Sequence, residues 1–248
     1  MTPRLAQISR HPIKSHGRER LAGVTLRAGE ALPWDRHWAV AHAAAKLVPG
    51  WNPCVNFARG AKAPGLMSIA ATLHEASGQV TLTAPGKPDL AFHPDQDADL
   101  PAFLDWVRDL NPADRAQPVQ IVTAGRGMTD TDYASISILN LASNAALGAE
   151  MGVDLAPERW RANLWLEGVQ PWAERAWVGH RIQIGEAVLE VTEHIVRCRA
   201  TMANSTTGVI DADTLTALQT GHGHQEMGLY ARVIQSGAIS QDDTVVVL

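Results

Sequence analysis

The chain of 248 residues contains only two cysteines, Cys54 and Cys198. They form no Cys-x-x-Cys pair, which excludes a disulfide framework, a cysteine-rich zinc site and a cysteine-bound iron-sulfur cluster. Long apolar runs are also missing, because no window approaches the ~20 apolar residues of a membrane span. The N-terminus lacks the apolar core of a signal peptide. We therefore expect a soluble cytoplasmic protein with no membrane partner.

Clustered positive charge is absent as well. The chain has 21 Lys and Arg against 26 Asp and Glu, a formal net charge of -5. Phosphate backbones require clustered cations, so we expect no nucleic-acid partner. No Gly-x-Gly-x-x-Gly loop follows a predicted strand, which argues against a dinucleotide site. What the sequence does contain is 46% hydrophobic residues with 20 Gly and 14 Pro, typical of one or two globular domains.

The hydrophobic pattern predicts many short strands, two or three helices and no βαβ rhythm. We therefore expect a mainly β protein with a few helices (α+β), packed as a barrel or half-barrel. The predicted strands include residues 4–10, 160–168 and 227–233. A helix is predicted over residues 101–110, and a short helix is predicted within residues 210–218.

One cysteine stands in an unusual context. Residues 181–192 alternate around Gly185 and Glu186, which predicts two paired strands, and the second strand delivers Cys198 into a polar loop. Arg197 and Arg199 flank the thiol, and neighbouring cations favour the nucleophilic, metal-binding thiolate. The alternative is a buried structural cysteine. Cys54 has no adjacent basic residue, and we predict a structural or incidental role for it.

Other polar residues occur where predicted strands and helices meet loops. Lys14 and Ser15 follow the first strand, and Arg36 precedes another; the alternative for Lys14 and Arg36 is that they are ordinary solvated loop charges. Arg161 and Asn163 share one face of a predicted strand, where they point to solvent or form a hydrogen-bonding pair. Ser137, Asn140 and Ser143 surround a helix start and are expected either to cap it or to help bind an anion. His222 and His224 lack the further ligands that a metal site needs.

These segments resemble the MOSC family. The residues that match its cysteine motif are Arg197, Cys198, Thr201, Asn204, Thr207 and Gly208, whereas Met202 and Ser205 depart from it. Residues 11–15 resemble the family's Tyr-Pro-Val-Lys-Ser motif, and residues 35–38 resemble its Asp-Arg-x-Trp motif. Residues 160–163 resemble its Phe-Arg-x-Asn motif, and residues 228–231 resemble its Gly-x-Tyr-Ala segment.

The resemblance implies a MOSC N-terminal β-barrel domain over residues 1–92 and a MOSC domain over residues 93–248, sharing one cofactor cleft. It implies that this cleft holds the molybdenum cofactor (Mo-molybdopterin), with Cys198 as the catalytic residue and molybdenum ligand. The residues expected to bind the cofactor are Lys14, Ser15, Arg36, Asn140, Ser143, Arg161, Asn163, Arg197, Thr201 and Tyr230.

The function implied is that of the mitochondrial amidoxime-reducing component and its bacterial relatives, namely reduction of small N-oxygenated compounds such as N-hydroxylated bases and amidoximes. No cysteine follows Cys198, so we expect a separate redox protein to donate electrons, and the cofactor synthesis machinery to supply the cofactor. Two alternatives remain open. The chain is either a sulfur carrier or sulfurtransferase that uses a Cys198 persulfide in cofactor maturation, or a non-catalytic cofactor carrier.

Overall fold

The computed structural model describes residues 2–248. Strands dominate, which confirms the α+β prediction. The strands are β1 Arg4–Arg10, β2 Glu19–Leu21, β3 Gly23–Leu26, β4 Trp38–His42, β5 Ala70–His74, β6 Gln79–Thr83, β7 Leu90–Phe92, β8 Pro118–Thr123, β9 Ile136–Asn140, β10 Leu164–Glu167, β11 Arg181–Ile184, β12 Ala187–Val196, β13 Glu226–Gln235, β14 Gly237–Ser240 and β15 Val245–Val247. The helices are α1 Leu100–Val107, α2 Leu141–Met151 and α3 Thr214–His222.

The largest sheet has eight strands in the order β15-β11-β12-β13-β9-β10-β1-β2. Only β9 and β10 run parallel, and the other pairs are antiparallel. The sheet curls until its two ends meet, since Leu5 N donates to Asp243 O and Val245 N donates to Pro3 O, both at 2.9 Å. Alternate residues of these strands point inward and form a continuous aliphatic core.

A second core lies among β4 to β7 and α1. Phe92 and Phe103 stack there at 5.0 Å, surrounded by aliphatic side chains. Strand β4 pairs with β8, and β5, β6 and β7 form a three-stranded sheet. Helix α1 therefore packs with the strands that precede it, while β1 and β2 pair within the large sheet. The predicted division at residues 92 and 93 stays a prediction.

Two predicted elements differ from the structure. The strand predicted over residues 160–168 is confined to β10, because residues 157–160 form a 3-10 helix and Arg161 has a positive φ of 50°. The short helix predicted within residues 210–218 is α3, which begins at Thr214, where Asp213 caps it by accepting from Thr216 N at 3.1 Å, and continues to His222, beyond the predicted stretch. Among residues 2–248, no helix is long and apolar enough to cross a bilayer.

Candidate functional site

A cavity of about 250 Å³ is lined by residues from both the N-terminal and the C-terminal parts of the chain. Nine of the residues predicted to form the site line it: Lys14, Ser15, Arg36, Arg161, Asn163, Arg197, Cys198, Thr201 and Tyr230. They come from five separate stretches of the chain. The fold thus brings together residues that the sequence separates by more than 200 positions.

The N-terminal residues reach the cavity because two chain segments pair before β4. Lys14 N donates to Trp38 O, and Arg36 N donates to His11 O, both at 2.7 Å. These backbone bonds hold the loop containing Lys14 and Ser15 beside the loop containing Arg36. The two N-terminal segments that resemble family motifs are therefore one structural unit.

Cys198 leaves the end of β12 in an extended conformation and precedes a 3-10 helix, Arg199–Met202. Thr201 fixes this turn, because its N and its Oγ1 both donate to Cys198 O at 3.1 Å. Cys198 is exposed by surface area, yet its thiol lines the cavity, where the surrounding protein limits hydration. Burial raises the pKa of this thiol, and the opposing effect of Arg197 is smaller. Arg197 thus acts in the direction expected of a flanking cation, but burial outweighs it and the net pKa of the Cys198 thiol is raised.

The cavity wall contains buried arginine nitrogens without partners. Neither Nη atom of Arg161 has a hydrogen-bond partner, and the same holds for Nη2 of Arg197 and Nε of Arg159. Burial, followed by the charges of Arg36 and Arg18, lowers the pKa of Arg161 to about 9. Burial also lowers the pKa of Arg197 to about 10. Buried donors are normally satisfied, so this arrangement is suited to an anion that supplies the missing acceptors.

The carboxylates of Asp130 and Asp35 offset part of the positive charge around the cavity. Lys14 Nζ donates to Asp130 Oδ1 at 2.5 Å and to Met128 O at 2.8 Å. Burial alone would raise the pKa of Asp130, but Lys14 and Arg36 hold it at about 2. Asp130 was not predicted as a site residue. No local motif surrounds it, and its partner Lys14 lies 116 positions away in the sequence.

Arg36 pairs with the buried carboxylate of Asp35 and donates from Nη2 to Arg161 O at 2.8 Å. Asp35 also accepts from His11 N at 2.8 Å, and its Oδ1 lies 3.2 Å from His11 Nδ1. Burial, with Arg161 and Arg36, lowers the pKa of His11 to about 3, so this imidazole is neutral at pH 7. Asp35 and His11 thereby hold Arg36 in place from behind the cavity wall.

Two predicted cofactor ligands lie elsewhere, which corrects the sequence analysis. Asn140 and Ser143 are fully buried and are absent from the cavity wall. Asn140 Nδ2 donates to Glu174 Oε2 at 2.9 Å, and Ser143 Oγ donates to Glu174 Oε1 at 2.6 Å. Asn140 also caps α2 by accepting from Ala142 N at 3.0 Å. These side chains satisfy a buried carboxylate, a role that depends on tertiary contacts.

Cys54 lines the same cavity as Cys198. Arg59 Nη1 lies 2.9 Å from Cys54 Sγ, so the fold supplies the basic neighbour that the local sequence lacks. The two histidines near the end of α3 lie apart from the cavity, and the ring of His222 contacts that of Trp172 at a centroid distance of 4.3 Å and an interplanar angle of 49°. Within residues 2–248, no group of three His, Cys, Asp or Glu side chains is placed to bind a metal ion.

Comparison with known families assigns both halves of the chain. Residues 126–246 match the MOSC domain, and residues 2–114 match the MOSC N-terminal beta barrel domain. The chain is a MOSC-domain protein. No curated protein matches the chain.

Solved structures similar to this MOSC-domain protein are distant. The YuaD protein from Bacillus subtilis is 13% identical, with 99% of this chain and 94% of that chain covered and a TM-score of 0.47. YiiM from Geobacillus stearothermophilus and YiiM from Escherichia coli are each 19% identical, with 46% of this chain and 53% of each relative covered. Their TM-scores are 0.35 and 0.34.

MOSC domains as a family are associated with the molybdenum cofactor. The cavity of this MOSC-domain protein fits such a group on its own donor set. It combines one accessible thiol, a soft ligand of the kind that thiophilic metals prefer, with buried cationic donors that lack partners. Cys198 and Arg197 line this cavity together with Lys14, Arg36 and Arg161.

Proposed function

We propose that this protein is a molybdenum-cofactor-dependent reductase of small N-oxygenated compounds, related in activity to the amidoxime-reducing proteins that its motifs resemble. The observation that carries the proposal is that buried, unpartnered guanidinium nitrogens of Arg161 and Arg197 line the same cavity as Cys198. A protein that only relays sulfur between other proteins, without holding the cofactor itself, does not need a buried cationic cradle. A protein that retains an anionic cofactor does.

The residues would divide the work of holding the cofactor. Cys198 would ligate the metal through its sulfur, at the end of a strand that fixes the backbone. Arg161 and Arg197 would donate to anionic groups of the pterin, while Lys14 and Arg36 are held by Asp130 and Asp35. Metal coordination would displace the thiol proton, which offsets the raised pKa of Cys198 in the free chain.

Reduction of an N-hydroxyl group breaks the N–O bond, takes up two electrons and two protons, and releases water and the amine or amidine. The bound cofactor supplies the two-electron exchange. Tyr230 lines the cavity and would be suited to donate a hydrogen bond to the substrate oxygen. Burial and the nearby Asp130 raise the pKa of Tyr230 above its usual range, so its hydroxyl keeps its proton. Asp130 stays ionised and can only accept.

The test uses protein produced in a host that makes the cofactor. We expect molybdenum and pterin fluorescence in the purified protein, and reduction of an amidoxime with an artificial reductant. A nicotinamide alone should not support turnover, because electrons would come from a separate redox protein. Protein that contains the cofactor yet reduces no N-oxygenated compound would contradict the proposal.

A sulfur carrier is the second candidate, and the exposure of Cys198 favours it. In that case an added cysteine desulfurase should transfer labelled sulfur to Cys198 and form a persulfide. Efficient labelling together with no reductase activity in cofactor-loaded protein would favour sulfur transfer over reduction.

A further inference from the structure

A second cavity of about 440 Å³ adjoins the first, and Arg59 lines both. We propose that this second cavity, the basic groove, binds the phosphate or carboxylate group of a substrate whose N-oxygenated end reaches Cys198. The inference rests on the proposed function and specifies its substrate class. The residues that define the groove are His42, Lys46, Arg59, Lys62, Asn111 and Arg115.

The charge of the groove is of one sign. Four of its side chains are permanent cations, and no carboxylate lines it. None of these four cations forms an ion pair in the part of the chain that the structure describes. The whole chain has a formal net charge of -5, so this concentration of positive charge opposes the overall balance. Such a surface attracts a multiply charged anion.

Hydrogen bonds connect the chain segments that form the floor of the groove. His42 Nε2 lies 2.8 Å from Val55 O, which joins the end of β4 to the 3-10 helix Cys54–Asn56. Asn56 accepts from Lys46 N at 2.8 Å, and Asn111 donates to Val107 O at 2.9 Å. The cationic side chains therefore line a concave cavity whose backbone segments are joined by these hydrogen bonds. Cavities of this size accommodate small molecules, whereas the acidic face of a protein partner would require a broad, flatter patch.

Arg59 connects the groove to the reacting centre. It lies half-buried at the junction, with Nη1 at 2.9 Å from Cys54 Sγ. The next residue, Gly60, is in close contact with the Cys198 loop, since a Cβ placed there would lie 3.3 Å from Ala200 Cβ. A molecule bound in the groove is thus adjacent to the cavity that contains Cys198. The arrangement selects substrates with an N-oxygenated end and an anionic end.

Pyrophosphate binding by calorimetry tests the groove without any turnover. The double variant Lys62→Gln plus Arg115→Gln removes two groove cations, neither of which lines the first cavity. We expect its affinity for pyrophosphate to fall about tenfold or more, the factor that the loss of one charge-assisted hydrogen bond represents. The control is Arg27→Gln plus Arg181→Gln, which removes two exposed cations elsewhere. Equal loss of affinity in both double variants, or no pyrophosphate binding by the unmodified chain, would overturn the proposal.

A kinetic experiment tests whether the anion bound in the basic groove is part of the substrate or a separate effector. With cofactor-loaded protein, the ratio of kcat/KM for a phosphorylated N-hydroxylated substrate to that for its neutral counterpart should fall about tenfold in the groove variant. Pyrophosphate should compete with the phosphorylated substrate. If pyrophosphate instead altered turnover of the neutral substrate without competing, the groove would bind a separate effector and our assignment would be wrong. If no substrate were reduced but groove-dependent pyrophosphate binding persisted, the failure would lie with the proposed function.

Discussion

Arg161 combines features that a stable protein usually avoids. Its guanidinium is buried among other cations, both Nη atoms lack partners, and its backbone has a positive φ of 50°. An unpaired buried charge destabilises the fold, and backbone strain tends to persist where function requires it. We infer that the folded chain tolerates this cost because an anionic ligand compensates for it.

Replacing Arg161 by methionine tests that inference. Arg161→Met keeps much of the side-chain volume and leaves the carbonyl that accepts from Arg36. We expect the cofactor-free variant to be more stable than the parent by about 1–3 kcal/mol, since an uncompensated charge is removed. Its molybdenum content should fall in the same preparation. Chemical denaturation and metal analysis measure the two effects.

Arg159→Met is the matched control. That arginine donates to Thr201 O at 3.0 Å and to Asp211 at 3.2 Å, so its loss should destabilise the chain. If Arg161→Met destabilised the cofactor-free protein as much as Arg159→Met, the claim of an uncompensated charge would fail.

Replacing each of the two cavity cysteines by serine tests whether Cys198, and not Cys54, ligates the metal. Cys198→Ser should abolish molybdenum-dependent reduction while leaving the fold intact, because a hydroxyl is a hard, protonated ligand. Cys54 lines the same cavity, but the Cys54→Ser variant should retain most of the activity. Circular dichroism and turnover with an artificial reductant check both variants. Similar loss in both would contradict the assignment of Cys198 as the sole metal ligand.

Strand β13 must pass close to β9 at one residue. Gly228 has a φ of +86°, and a Cβ placed there would lie 2.3 Å from Leu139 Cδ1 and 2.8 Å from Ile138 O. The close approach positions Tyr230, two residues further along, at the cavity wall. This contact gives a physical reason for the Gly-x-Tyr-Ala segment.

Gly228→Ala should therefore destabilise the chain by roughly 2–4 kcal/mol, the sum of left-handed backbone strain and overpacking against β9. Gly86→Ala provides the control, because that glycine has a similar φ of +72° with no atom nearby. Its cost should be only about 1–2 kcal/mol of backbone strain. Urea denaturation compares the two, and equal costs would show that the contact with β9 is unimportant.

The stability of the whole molecule should depend on pH through two buried imidazoles. Burial, with nearby arginines, lowers the pKa of His11 to about 3, and burial lowers that of His16 to about 4, against 6.5 in an unfolded chain. Below pH 6.5 the unfolded chain therefore binds protons that the folded chain does not. The free energy of unfolding is therefore unaffected by these two histidines above pH 6.5, and it decreases as the pH falls from 6.5 towards the folded-state pKa values of about 4 and 3.

The expected slope near pH 5 is about 2.7 kcal/mol per pH unit for two such groups, since one proton corresponds to 1.36 kcal/mol. His16→Gln should reduce that slope by about half, whatever its effect on absolute stability. Denaturation curves between pH 4 and pH 7 give the measurement. An unchanged slope in His16→Gln would show that His16 is not titrating on unfolding.

The sequence by itself determined the features that depend on local pattern. Alternating side chains predicted the β11 and β12 hairpin because one face of each strand is buried and the other is exposed. The position of Cys198 after that hairpin followed directly. The family resemblance, now shown for residues 2–114 and 126–246, named nine residues that line the cavity.

Only the tertiary structure decided which charges are buried and what they contact. Asp130 contacts Lys14 across 116 positions, and Cys54 lines the same cavity as Cys198, through contacts that no local pattern encodes. Asn140 and Ser143 were predicted to bind cofactor, but the buried carboxylate of Glu174 takes their donors. Hydrogen bonds and desolvation act between neighbours in space, so residues far apart in sequence set the ionisation and the orientation of each group at the site.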